Sequence, residues 1–139
     1  MTHKYDFLVI GGGIAGMSFA LKTARHGRVA LICKTTLEEA NTALAQGGVA
    51  SVTNLEVDTF EKHIHDTMVA GDWLSDPAAV ETVVKGAPQG IADLVQWGVQ
   101  FDKKEDGKYD LHREGGHSDF RILHHADNTG WEIQRGLRE

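Results

Sequence analysis

Tyr5 to Ile10 is a short, largely apolar run, after which the hydrophobic positions change spacing: Ile14, Met17, Ala20, Leu21 and Ala24 recur every three or four residues. The first pattern predicts a buried parallel strand and the second one buried face of a helix, from Ile14 to about His26, stopped by Gly27. A second apolar run from Arg28 to Cys33 predicts another strand, so the chain opens as a βαβ start. Further along, Phe60, Ile64 and Met68 repeat at helical spacing behind the plausible helix start of Asp58 and Glu61, and Gly71 and Asp72 break the pattern. Asp76 before Pro77 suits an N-cap and first helical residue, opening a helix through Val80, Val83 and Val84 that Pro88 kinks or restarts. The next helix, through Ile91, Leu94 and Val95, closes at Gly98. Val99 to Asp102 and Lys108 to His112 flank Asp106 and Gly107, a pair that favours a hairpin turn. Thr129 to Glu139, with Trp131, Ile133 and Leu137 apolar, reads as the start of a helix. The chain has no internal repeat, low-complexity tract or linker.

Between the first strand and first helix lie Gly11, Gly12 and Gly13, then Ile14, Ala15 and Gly16, a G-x-G-x-x-G loop in the strand–loop–helix context that gives it meaning. Gly11 permits the tight turn, Gly13 lets a pyrophosphate approach bare backbone, and Gly16 lets helix and strand pack closely. The helix amino terminus, at Ile14 and Ala15, adds free N–H groups and a partial positive charge. These residues point to a dinucleotide. The acidic residue that usually holds the adenosine ribose about 20 residues later is missing; Cys33 and Lys34 stand in its place. A neutral thiol cannot accept two ribose hydroxyl bonds, which argues against simple NAD binding. Lys34 either reaches a phosphate or the adenosine edge or is a solvated loop lysine, and Cys33 reads as a small buried side chain.

Composition narrows the class. A formal net charge of -6 argues against a general nucleic-acid or anionic-membrane surface. A single cysteine excludes an internal disulfide, and the apolar run Phe7 to Ile10 is too short for a signal segment or membrane span; a cytoplasmic protein is expected. His63 and His65 are two apart on a helix and His124 and His125 are adjacent, poor spacings for shared metal ligands, so no metal site is expected from the 8 histidines.

The stretch after Lys34 is polar and small. Ala43 and Ala45 leave room for a ring system, Gln46 both donates and accepts, and Gly47 and Gly48 expose backbone, although composition alone equally describes a surface loop. Asn41 to Ala50, NTALAQGGVA, resembles the flavin loop of the succinate dehydrogenase and fumarate reductase flavoprotein family. The glycine loop ending in Ala20, AQGG at Ala45 to Gly48, REGGHS at Arg113 to Ser118 and RILHHADNTG at Arg121 to Gly130 carry the resemblance in family order over nearly the whole chain. It implies FAD as cofactor, held by the glycine loop, by Lys34 and by Asn41, Thr42, Ala43, Leu44, Ala45, Gln46, Gly47 and Gly48. Asn41 falls where the succinate and fumarate enzymes attach flavin through a histidine, so the implied FAD is noncovalent. Glu114, preceding Gly115 and Gly116, replaces an apolar residue of those enzymes and looks like the aspartate-oxidising branch of the family.

That branch implies oxidation of L-aspartate to iminoaspartate, the first step of quinolinate formation for NAD synthesis, with oxygen or fumarate as acceptor and quinolinate synthase downstream. Aspartate differs from succinate by an ammonium group, which needs a partner when desolvated, and Glu114 supplies a carboxylate. On its residues alone Glu114 also reads as a surface salt-bridge former at a hairpin exit, and His117 as either a substrate-carboxylate contact or a packed histidine. Ser118 completes the expected substrate side. The general base and an arginine of the family lie beyond the matched region, so no catalytic residue is expected in this chain. A succinate or fumarate oxidoreductase flavoprotein and a non-catalytic nucleotide-binding module are the other classes considered.

The expected fold is therefore α/β, the amino-terminal part of a Rossmann-like FAD-binding domain, with helices, a β-hairpin and an incomplete sheet. Within 1–139, about 1–53 is the dinucleotide and flavin segment, about 54–112 helical scaffold and hairpin, and about 113–139 the substrate-side loop and a helix start. Because only two parallel strands are predicted, the chain reads as an amino-terminal fragment that binds FAD weakly and is inactive alone.

Overall fold

Four consecutive residues with extended backbone and a glycine turn behind them set the first unit. In the computed structural model, which describes residues 2–139, β1 (Phe7–Ile10) pairs in parallel with β2 (Val29–Ile32), Phe7 opposite Val29 and Ile10 opposite Ile32. The crossover is α1 (Ile14–Thr23), a turn shorter than the apolar spacing predicts. Val9 is buried, but Leu8 and Ile10 are exposed, and in α1 only Met17 of the predicted stripe is fully buried. A parallel sheet is buried only when helices cover both faces, and among the described residues this pair lacks that cover. Cys33, expected inside, is exposed just past the end of β2 for the same reason.

The helical scaffold is α2 (Phe60–Ala70) and α3 (Pro77–Gln96). Thr59, not Asp58, caps α2, its side chain accepting from the Lys62 N–H, while Asp76 caps α3 and accepts from the Ala79 N–H. Met68, Val80 and Val84 form the core between the two helices, with Phe60 and Ile64 against it. The chain does not restart at Pro88. Val80, Val84, Ile91 and Leu94 are buried on both sides of it, and this continuous apolar stripe holds one 20-residue helix together across the missing hydrogen bond.

Beyond Gly98, whose φ of +94° suits glycine at a helix exit, the expected hairpin is present with little ladder. One antiparallel bridge joins Lys103 and Tyr109, and Gly107, at φ +81°, donates to the Lys104 carbonyl. A second sheet, absent from the hydrophobic pattern, pairs β3 (Val49–Ala50) antiparallel with β4 (Ile122–Leu123). Finally α4 (Thr129–Arg138) returns to α1 and α3. Ile133 and Leu137 join Met17, Ile91, Leu94, Val99, Phe101 and Leu123 in the main core, so the last helix closes on the first. No helix among the described residues is long and apolar enough to cross a membrane.

Candidate functional site

The glycine loop is shaped by contacts that forbid side chains. Gly11, at φ +115°, donates its N–H to the Ile32 carbonyl at 2.8 Å, tying the turn to the end of β2. A Cβ on Gly16 would lie 1.9 Å from the Gly11 carbonyl oxygen, so only glycine lets α1 approach the turn this closely. A Cβ on Gly12 would meet Leu37 at 2.5 Å. Gly13 is the N-cap of α1 and has no side chain to close the helix, while the Ile14 N–H donates to Thr42 Oγ1 at 3.0 Å. A cavity of about 410 Å³ opens over Gly11 to Gly13, walled by Cys33 to Thr36 on one side and by Asn41 and Thr42 on the other. Lys34 stands on that wall, exposed, and a helix amino terminus borders the space. Backbone N–H groups, a helix dipole and a nearby ammonium are the donor set a pyrophosphate requires.

From Asn41 the chain turns through Thr42, Ala43 and Leu44, then runs exposed through Ala45, Gln46 and Gly47. Its two ends are pinned. The Gly130 N–H donates to the Ala45 carbonyl at 2.9 Å, and a Cβ on Gly130 would sit 2.0 Å from the Thr42 oxygen. A Cβ on Gly48 would lie 2.3 Å from Ile122 and 2.4 Å from the Leu123 oxygen. A loop held at Thr42 to Ala45 and again at Gly48, with small residues and bare backbone between, leaves room for a ring system.

REGGHS comes to this loop. A Cβ placed on Gly47 would be 3.9 Å from Glu114 Oε1, so the Glu114 carboxylate lies beside the exposed backbone of the AQGG run. Glu114 forms no ion pair among the described residues, which leaves its salt-bridge reading without a partner. The turn closes with the His117 N–H donating to the Glu114 carbonyl at 3.2 Å and Gly116 at φ +86°. The Ser118 N–H and hydroxyl both donate to Asp66 Oδ2 at 2.8 Å, so Ser118 fastens the loop to α2.

Behind the loop is a charge cluster whose pairing the sequence does not reveal. Arg121 is fully buried; its Nε and one terminal nitrogen donate to the two oxygens of Asp58, both at 2.7 Å, and the other donates to Asp66 at 2.6 Å. Asp58, read as a helix-start residue, is instead this buried carboxylate. Burial pushes the Asp66 carboxyl upward, but the Ser118 N–H, the Arg121 guanidinium and the Ser118 hydroxyl outweigh it and hold Asp66 at about 2. Arg121 also lies 3.3 Å from His117 Nδ1, and an arginine only donates, so Nδ1 accepts and Nε2 carries the proton. His63 is buried with its ring 5.6 Å from that of His117, and burial first, then the Arg121 charge, push its pKa down. Gln134 of α4 went unassigned as well: its Nε2 donates to the Gly12 carbonyl at 2.8 Å and to that of Leu37 at 2.5 Å, bracing the glycine loop from below.

Comparison with known proteins agrees with this geometry. Residues 6–138 match the FAD binding domain family. The chain is 49% identical to L-aspartate oxidase 2-b, chloroplastic, of Nicotiana tabacum, an alignment covering 100% of this chain and 21% of that protein. It is 43% identical to L-aspartate oxidase of Vibrio cholerae, covering 99% of this chain and 26% of the relative. Among solved structures, E. coli quinol fumarate reductase superposes with a TM-score of 0.90 at 33% identity, covering 99% of this chain and 24% of that one. Mycobacterium smegmatis Sdh1 in complex with UQ1 gives 0.90 at 36% identity, with 98% and 23% covered. The chain thus spans about a fifth to a quarter of the length of these proteins. With a dinucleotide cradle in place and the match running from Asp6 to Arg138, the chain belongs to the FAD binding domain family.

Proposed function

We propose that this chain supplies the cofactor cradle and one wall of the substrate site of an FAD-dependent enzyme that oxidises L-aspartate to iminoaspartate. The position of Glu114 beside Gly47 carries the reading: it sets an unpaired carboxylate against the loop that would face the flavin ring. When bound, FAD supplies the two-electron acceptor. Gly11 to Gly16 hold its pyrophosphate, Lys34 lies within the same cavity wall, and Asn41 to Gly48 support the ring without a covalent link, since an asparagine amide cannot form one. Glu114 accepts from the substrate ammonium. His117, its Nδ1 turned to Arg121, offers the Nε2 proton to a substrate carboxylate, and Ser118 retains acceptor capacity on a hydroxyl held by Asp66. The cytoplasmic setting, oxygen or fumarate as electron acceptor, and quinolinate synthase as consumer of the product belong to the same proposal. It rests on the named L-aspartate oxidase relatives.

The structural likeness to quinol fumarate reductase favours a second reading, a succinate or fumarate oxidoreductase flavoprotein. Anaerobic titration of the FAD-loaded holoenzyme separates the two. Aspartate, and not succinate, should bleach the oxidised flavin absorbance. Glu114→Ala removes a charge-assisted hydrogen bond worth roughly 1.5–3 kcal/mol, so kcat/KM for aspartate should fall roughly 10- to 150-fold. Bleaching by succinate alone, or an unchanged kcat/KM in the Glu114 variant, overturns the aspartate reading.

A further inference from the structure

A second constellation lies on the hairpin exit. Asp110, His112 and His124 each bring one ligand atom within 4.8 Å of the others. The fold, not the spacing, assembles them: the bridge between His112 and Ile122 lays the hairpin exit along β4 and brings the His112 ring onto the His124 ring at 3.7 Å with 22° between their planes. Because ring-nitrogen lone pairs lie in the ring plane, the exposed His112 turns out of this stack to share an ion with His124. Adjacent histidines make poor joint ligands, and His124 here works with residues 12 and 14 positions earlier rather than with His125.

His124 is the informative member. It is 8% exposed, and neither ring nitrogen has a hydrogen-bond partner among the described residues. A buried imidazole with both nitrogens unserved is costly, and native structures rarely leave one unexplained. Asp102 Oδ2 lies 3.3 Å from Nδ1, close but not aligned as a hydrogen bond, and that oxygen is itself held by the Ala126 N–H at 2.7 Å. A carboxylate on Nδ1 is the arrangement that fixes a metal-binding histidine with Nε2 turned to the ion.

We propose that Asp110, His112 and His124 bind a first-row divalent cation, with Zn²⁺ the best fit and Asp102 as the positioning residue behind His124. Two imidazoles and a carboxylate suit this class better than calcium or magnesium, which prefer oxygen donors alone. Asp110 neutralises one positive charge of the ion and Asp102 the second. An open cavity of about 610 Å³ borders Asp110 and His112 and admits water to complete the coordination. Two groups compete for these carboxylates among the described residues: the largely exposed Lys104, 3.8 Å from Asp110, and His125, whose Nδ1 lies 3.4 Å from Asp102 Oδ1. The bound ion ties the hairpin to β4, directly before the Arg113 to Ser118 loop.

The test uses the untagged, chelator-stripped chain, with Zn²⁺ followed by calorimetry and melting temperature and Co²⁺ by its visible absorption. One equivalent of Zn²⁺ should bind and raise the melting temperature, and Co²⁺ should develop ligand-field bands. His112→Ala, at an exposed position that leaves folding intact, should abolish the bands and weaken Zn²⁺ binding at least tenfold. Asp102→Asn should weaken it by about 10- to 100-fold, as loss of a partner behind a ligand does. His65→Ala, at an exposed histidine elsewhere, should leave binding unchanged. Zn²⁺ affinity that is equal in wild type and the His112 and Asp110→Asn variants, or no saturable binding below millimolar concentration, overturns the proposal.

Discussion

Replacing Arg121 with methionine tests what holds the substrate-side loop to the scaffold. The guanidinium is fully buried, and three of its donors are taken by Asp58 and Asp66 at 2.6–2.7 Å. Methionine roughly preserves volume but strands Asp58, itself 2% exposed, without its counter-charge. Breaking one side of a buried pair costs about 3–5 kcal/mol, a large part of a domain's total stability. The pH dependence gives a second handle. Asp66 is depressed from 3.8 to about 2 in the folded chain, so its contribution is fully present above the unfolded value and is lost as pH falls through about 2. That shift corresponds to about 2 kcal/mol. In the variant the Ser118 donors remain and the arginine does not, so Asp66 contributes only part of this amount. Urea unfolding followed by tryptophan fluorescence should therefore show a gap of about 3–5 kcal/mol between wild type and variant at pH 7, narrowing towards pH 2. Adding Asp58→Asn to the variant should recover stability, because it removes the stranded charge. A gap below about 1 kcal/mol at pH 7, the value of a surface pair, would refute the buried-cluster reasoning. So would a gap independent of pH.

What could be read in advance follows from what each feature demands of local sequence. The β1–glycine loop–α1 unit is legible because backbone proximity requires glycine at fixed offsets: Gly16 cannot carry a Cβ 1.9 Å from the Gly11 oxygen. The Asp76–Pro77 start and the helix at Thr129 are legible because capping and helical period are local as well. The β3–β4 pairing is not, since two-residue strands have no period and their partners lie more than 70 positions apart. The exposure of Leu8, Ile10 and Cys33 eluded the same reading because an apolar run reports that cover is wanted, not that it is supplied within these residues. Within the site, the residues proposed to touch ligand follow from the glycine pattern and the family resemblance, but those that hold them do not. Asp58 looked like a helix start, Asp66 and Arg121 drew no assignment, and they join only through contacts spanning 55 and 63 positions. Gln134 braces Gly12 across 122 positions, and no short-range pattern carries that information.

Two glycines separate the roles of the cradle. Gly16→Ala forces a methyl group against the Gly11 carbonyl, so the turn must open; overpacking of this kind costs about 1–3 kcal/mol. Flavin fluorescence quenching should show weakened FAD binding, and affinity equal to wild type would mean that α1 does not need this approach. Gly130→Ala acts at a distance from the phosphates. Its methyl would fall 2.0 Å from the Thr42 oxygen and 2.6 Å from that of Ala45, and neither is a flexible side chain that could turn away. Either α4 retreats, loosening Ile133 and Leu137 in the main core, or the Asn41 to Gly48 loop moves off the helix and carries the Thr42 acceptor away from Ile14. The two are told apart by melting temperature against FAD affinity: a retreating helix lowers the first, and a displaced loop lowers the second with the core intact. Because α4 is fixed by seven buried residues and the loop by its ends alone, the loop should yield, and a variant with normal FAD affinity but a lower melting temperature would show that the helix gave way instead.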